Sequence, residues 1–219
     1  MNLFRLDASI FTDGSRSRAL ADLAEAEVKA ALPDVTVTRR HVGTDPIPAT
    51  AWAAAVTAGF TPDDQRSAEQ NEAVALAAQL ADEIVNADAI VFAVPLYNFG
   101  VSQHFKTYID LAITDPRLAS GVEAPLAGKP VILATVRGGA YGEGTPRAGW
   151  DHATAWMRRI LEDVWGADVK VVEQEFTLVG VNPALDDFKE LGAQFREEAE
   201  RTAAEHGRTL ARQLAPAAV

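Results

Sequence analysis

Ala87-Asp88-Ala89-Ile90-Val91-Phe92-Ala93-Val94-Pro95 is the stretch that decides the fold. Past Asp88 it runs apolar, without alternation, until Pro95 stops it. A strand with one face in water alternates apolar and polar residues; a strand buried on both faces does not. The run therefore reads as an inner strand of a parallel sheet with helices on both sides. Pro130 to Val136 is a second run of the same kind.

Working outward, Ser67 to Asn86 precedes the first run with Leu76, Leu80 and Ile84 at four-residue spacing, which predicts a helix. Leu3 to Ala8 reads as the opening strand. The turn-prone Thr12-Asp13-Gly14-Ser15-Arg16-Ser17 follows, then a helix up to Pro33. Val35 to Val42 reads as a second strand, and Asp45-Pro46-Ile47-Pro48 breaks the chain before a short helix over Trp52 to Val56. Downstream, helices are expected over Val101 to Ile113, Ala153 to Val164 and Asp186 to Leu214. A last strand starts at Val169 and reaches Leu178. Strands alternating with helices predict an α/β fold, a doubly wound five-stranded parallel sheet of order 2-1-3-4-5. No linker or internal repeat divides residues 1–219, so one domain is expected.

Composition removes several function classes. The chain has no cysteine, so thiol catalysis, disulfides and iron–sulfur ligation are out. His41, His104, His152 and His206 show no metal-ligand spacing, and no metal is expected. The net charge of −11, with arginines scattered among acids, argues against nucleic acid as a partner. No apolar run is long enough for a bilayer span, and the N-terminal residues lack a signal-peptide core. The expectation is a cytoplasmic protein with no membrane partner. Gly121 to Lys129 imitates a phosphate-binding P-loop, but the glycine spacing is wrong and Pro130 follows the lysine.

In open α/β sheets, ligands bind beyond the carboxyl ends of the central strands. Three loops belong there. Ser9 to Ser17 offers hydroxyls and free N–H groups ahead of a helix, which suits a phosphate; Ser15 or Ser17 also reads as a plain N-cap. Pro95-Leu96-Tyr97-Asn98-Phe99-Gly100 offers aromatic walls for a flat ring; the same aromatics also read as core. Arg137-Gly138-Gly139-Ala140-Tyr141-Gly142-Glu143-Gly144 lets a ligand lie on backbone amides; it also reads as a plain surface loop.

Pro95-Leu96-Tyr97-Asn98-Phe99, then Val101-Ser102, then Lys106, Tyr108 and Asp110, resembles the signature of FMN-dependent NADH:azoreductases, also called NADH:quinone oxidoreductases. Ser9-Ile10 with Ser15-Arg16-Ser17, Asp45-Pro46-Ile47-Pro48, Glu69-Gln70-Asn71-Glu72-Ala73 and Arg137-Gly138-Gly139 resemble further family motifs in the same order. The resemblance implies a flavodoxin-like homodimer holding FMN. Phosphate contacts carry over to Ser9, Ser15, Arg16 and Ser17. Contacts to the isoalloxazine carry over to Pro95, Leu96, Tyr97, Asn98 and Phe99, and pyrimidine-side contacts to Val136, Arg137, Gly138 and Gly139. Tyr141 stands where the family usually has a histidine by the substrate pocket. The implied reaction takes two electrons from NADH or NADPH and passes them through the flavin to a quinone or azo acceptor, with no catalytic side chain. The alternatives are an NAD(P)H-dependent FMN reductase and a non-catalytic dimeric flavin-binding module.

The chain also departs from the pattern. Val136 replaces a usual serine, Asp7-Ala8 stands where small polar residues are common, and the segment over 114–128 is shortened.

Overall fold

The computed structural model describes residues 1–119 and 121–215. Five parallel strands form the sheet: β1 (Asn2–Asp7), β2 (Thr36–His41), β3 (Ala89–Tyr97), β5 (Pro130–Val136) and β6 (Asp168–Gln174). A two-residue strand, β4 (Gly100–Val101), folds back antiparallel on the end of β3. The order is β2-β1-β3-β5-β6, so the parallel strands lie as the sequence predicts and β4 is the addition.

The helices are α1 (Arg16–Ala31), α2 (Ala51–Ala58), α3 (Ala68–Val85), α4 (Gln103–Ala112), α5 (Thr154–Arg158) and α6 (Lys189–Leu214). A π-helical turn, Arg159–Val164, continues α5. One face of the sheet packs Phe4, Leu6, Phe92 and Leu133 against α2 to α5 and their flanks. The other packs Leu3, Val91, Ala93 and Ile132 against α1 and α6. Apolar residues that neighbour in sequence thus serve opposite cores, which is why β3 shows no alternation.

Helix starts follow local chemistry. Ser67 and Gln70 make a reciprocal capping box on α3. Ser15 caps α1 and Ser102 caps α4. The lysine of the P-loop look-alike is structural. Its Nζ, at Lys129, donates to the carbonyls of Ile84, Val85 and Ala87 at 3.0, 2.7 and 2.6 Å, closing the C-terminal end of α3.

Four expectations need correction. β6 ends at Gln174, not Leu178, because Gln174 is the last residue with a rung on β5, opposite Val136. Val101 pairs with Leu96 in β4, so α4 begins only after the Ser102 cap. β2 covers only Thr36–His41, because Val35 and Val42 lie outside its pairing with β1. The terminal helix starts at Lys189, preceded by a 3₁₀ segment, Pro183–Phe188.

Candidate functional site

β1, β3 and β5 are adjacent in the sheet, so their carboxyl ends deliver the three loops to one edge. Two hollows open there. The first, about 360 Å³, is lined by Ser9, Ser15, Arg16, Ser17, Pro95, Leu96, Tyr97, Val136 and Gly138 among others. The second, about 750 Å³, takes Leu96, Tyr97, Asn98, Phe99, Gly138 and Tyr141. They share Leu96, Tyr97, Gly138 and Leu178 and so run together as one cleft.

The first hollow is an anion cradle. α1 starts at Arg16, and among the described residues the N–H groups of Arg16 and Ser17 have no partner in the chain. Ser15 Oγ accepts from the Arg18 N–H at 3.4 Å and lies 3.4 Å from Ser17 Oγ. Unspent N–H groups and hydroxyls at a helix start are what a phosphate needs. The loop is held from several sides. Tyr97 Oη accepts from the Ile10 N–H at 3.3 Å and lies 3.4 Å from Ser9 Oγ. Arg18 Nη1 donates to the Thr12 carbonyl at 2.9 Å. Gly43 backs the strand end so closely that a Cβ there would sit 2.0 Å from the Ser9 carbonyl oxygen.

The second hollow is walled by aromatics and open backbone. Asn98 and Phe99 both hold positive φ, 48° and 68°, a costly conformation for residues with a Cβ. Their N–H groups have no partner among the described residues. The Phe99 ring meets Trp150 edge-on at 5.4 Å and Tyr141 at 6.2 Å, and the His152 N–H donates to the Phe99 carbonyl at 3.0 Å. Asn98 and Phe99 are the two loop residues of the β3–β4 hairpin, between the paired Tyr97 and Gly100, where a two-residue turn requires positive φ at both positions.

Not every expected residue reaches this cleft. Arg137 is nearly buried and turns its guanidinium away, onto Asp151 at 2.6 Å and Glu173 at 2.7 Å. Its backbone is also engaged: the N–H donates to Gln174 and the carbonyl accepts from Thr177. Burial pushes the Asp151 carboxyl up, but hydrogen bonds from Thr154, the Arg137 charge and the Ala153 N–H outweigh it. Its pKa lies below the ordinary value. Gly139 lines an adjoining hollow that meets the cleft at Gly138 and Leu178. The N–H groups of Gly138 and Gly139 have no partner among the described residues.

Sequence reasoning missed the segment after β6. Thr177, Leu178 and Val181 line the first hollow, and Leu178 stands so close to Gly138 that a Cβ on the glycine would lie 2.7 Å from Leu178 Cδ1. The turn chemistry of Gly180 and Asn182-Pro183 was the available signal; reading a strand through Leu178 hid it.

A family model described as flavodoxin-like fold matches residues 1–202. The chain belongs to this flavodoxin-like family. It is 39% identical over 201 residues to the FMN-dependent NADH:quinone oxidoreductase of Frankia alni, covering 91% of this chain and 95% of that protein. Two solved structures share the fold. An azoreductase from Bacillus anthracis Sterne has a TM-score of 0.75 at 22% identity, covering 95% and 98% of the two chains. An FMN-dependent NADH-azoreductase from Bacillus anthracis Ames Ancestor, in complex with FMN, has a TM-score of 0.71 at 15% identity, covering 94% and 100%. In this flavodoxin-like chain, β1, β3 and β5 therefore carry their loops to the edge where such folds bind ligands.

Proposed function

We propose that this protein holds FMN in the cleft and passes two electrons from NADH, through the flavin, to quinones or azo compounds. One observation carries the reading. A helix-start anion cradle and a strained, aromatic-walled turn share a single cleft, joined at Tyr97 and Gly138. A flat ring with a phosphate tail fits both parts at once. The names of relatives at up to 39% identity over nearly the whole chain support the same assignment.

Ser9, Ser15, Ser17 and the N–H groups of Arg16 and Ser17 would hold the phosphate. Pro95, Leu96, Tyr97, Asn98, Phe99 and Gly138 would hold the ring system, Val136 and Gly139 flanking it. FMN, when bound, supplies hydride and electron transfer. The chain's part is to orient the ring and set fixed dipoles beside it. The unspent N–H groups of Asn98, Phe99 and Gly138 suit a ring that gains negative charge. Tyr141, facing Phe99 in the second hollow, would line the pocket for donor and acceptor.

The proposal includes a homodimer and a single functional domain over residues 1–219. Ile10, Phe11, Phe99 and Trp150 are exposed large apolar residues at or beside the cleft, a rim that a second copy would cover. It also includes a cytoplasmic setting, where reduced nicotinamide is at hand. No helix among the described residues is long and apolar enough to cross a membrane.

The test is the visible spectrum. The protein loaded with FMN should bleach on NADH and recover its colour with a quinone. Retained FMN that NADH leaves unreduced would support the binding-module alternative, and failure to retain FMN would support the FMN-reductase one.

A further inference from the structure

Next to the phosphate loop lies a further hollow of about 340 Å³, which shares no lining residue with the aromatic-walled one. It shares Gly14, Arg16, Thr177 and Val181 with the anion cradle. Lys189 and Arg196 project into it from the first turns of α6. In a chain of net charge −11, three cations thus meet at one small surface.

Their acidic neighbours hold them loosely. Arg16 and Arg196 stand 3.6 and 3.9 Å from the same Glu200, beyond good hydrogen-bond distance, and Lys189 is 3.3 Å from Asp186. Gln174 also lines this hollow. It is 3% exposed, and its Oε1 is buried without a hydrogen-bond partner. A buried carboxamide with unmet capacity is costly unless something else meets it. Opposite the cations, Phe176, Val179 and Val181 supply an apolar wall.

We infer that this hollow is a subsite for the phosphate-bearing adenosine part of a dinucleotide. The cations of Arg16, Lys189 and Arg196 take the phosphate oxygens, the Gln174 amide hydrogen-bonds the sugar or base, and the apolar wall covers the base. Two molecules carry that chemistry. One is a dinucleotide flavin whose first phosphate lies in the cradle and whose adenylate tail extends past Arg16. The other is the ADP half of the nicotinamide donor. The flavin and donor arms rest on the flavin reading above; the subsite itself does not.

The probes are FMN, FAD and ADP, titrated against the native protein and against Lys189→Gln/Arg196→Gln. Both positions are on an exposed helix face, and neither touches the FMN cleft as assigned. Native apoprotein should bind FAD within about threefold of FMN, or more tightly. The double variant should weaken FAD about tenfold and leave FMN unchanged, since each lost charge-assisted contact is partly screened. If instead ADP binds the FMN-loaded protein and weakens about tenfold in the variant, the subsite serves the donor. The subsite is refuted if the variant leaves both FAD and ADP unaffected, or if it weakens FMN as much as either. Native protein that binds ADP in a variant-sensitive way but no FMN would sink the flavin reading and keep the subsite.

Discussion

Replacing Arg137 by Met separates the two roles that a residue in this loop could have. The structure assigns its side chain to the fold. The guanidinium is 7% exposed as a residue and bonds Asp151 through Nε at 2.7 Å, Thr154 Oγ1 at 3.1 Å and Glu173 at 2.7 Å. Removing one member of a buried pair costs about 3–5 kcal/mol, because the other charge stays behind. Asp151 keeps hydrogen bonds from the Ala153 and Thr154 N–H groups and from Thr154 Oγ1, and Glu173 is half-exposed. Both facts favour the lower end, about 3 kcal/mol. With a urea slope of about 2–3 kcal/mol/M for a chain of this size, the midpoint falls by roughly 1–1.5 M. FMN affinity at low temperature should change less than about threefold, because the lost group faces away from the cleft and its backbone bonds remain. The acid limb adds a check. The folded pKa of Asp151 is depressed, so its stabilisation is present above the unfolded carboxylate value and is lost as pH falls through the folded one. The variant should therefore lose less stability than the native protein on acidification below about pH 4. Unfolding in urea and fluorescence titration with FMN make the measurement. An unchanged midpoint with flavin affinity lost by tenfold or more would refute the assignment and return Arg137 to the ligand.

Gly43→Ala should destabilise the protein by about 2–3 kcal/mol and weaken FMN, since the new Cβ would lie 2.0 Å from the Ser9 carbonyl oxygen and one of the two segments must shift; a melting temperature equal to the native one would contradict this. Tyr97→Phe removes two long bonds at 3.3 and 3.4 Å, so FMN affinity should fall about three- to tenfold while riboflavin, which lacks the phosphate, falls less. Equal losses for both flavins would place the hydroxyl's effect elsewhere. Phe99→Gly should be more stable than Phe99→Ala by about 1 kcal/mol, because both lose the ring and only alanine resists a φ of 68°. Equal melting temperatures would mean that the turn does not hold Phe99 there.

Much of this was legible in the sequence. Burial on both faces is written into Ala89 to Val94 as a lack of alternation, and that alone sets β3 inside a parallel sheet. The loops after β1, β3 and β5 could be named as one site because topology, not side-chain detail, brings them together. What was not legible depends on which way a side chain turns. Arg137 follows an inner strand and precedes two glycines, as a ligand contact would. Only the partners Asp151 and Glu173, 14 and 36 residues away, show that it is a strut. Leu178 was hidden for another reason. Leucine suits a strand as well as a loop, and after the Val136–Gln174 rung the chain turns out of the sheet, with Phe176 at a φ of 55°. The positive φ at Phe99 leaves no trace in residue type, whereas Asn98 carries one, since asparagine takes that conformation more readily than most residues.

Asp7 brings these levels together, because a carboxylate at the end of β1 looks wrong for a phosphate loop. It is 1% exposed and lies two residues before Ser9. Its neighbours resolve the conflict. Arg5 bonds Asp7 Oδ1 at 3.0 Å, His41 Nδ1 lies 3.1 Å from Oδ2, and Arg18 Nε stands 3.8 Å from Oδ2. Arg18 is also the residue whose other nitrogen holds the Thr12 carbonyl. The aspartate therefore does not present a bare charge to the loop. Its Oδ2 has Arg18 in ion-pair range without a hydrogen bond, while its Oδ1 is held by Arg5, itself bonded to Asp22 at 2.6 Å and Glu25 at 3.0 Å. A net charge of −11 describes the whole surface and predicts solubility. At Ser15 to Ser17 the groups nearest an anion are the unspent N–H groups at the start of α1, and Asp7 lies there with Arg5 bonded to one oxygen and the Arg18 and His41 nitrogens beside the other.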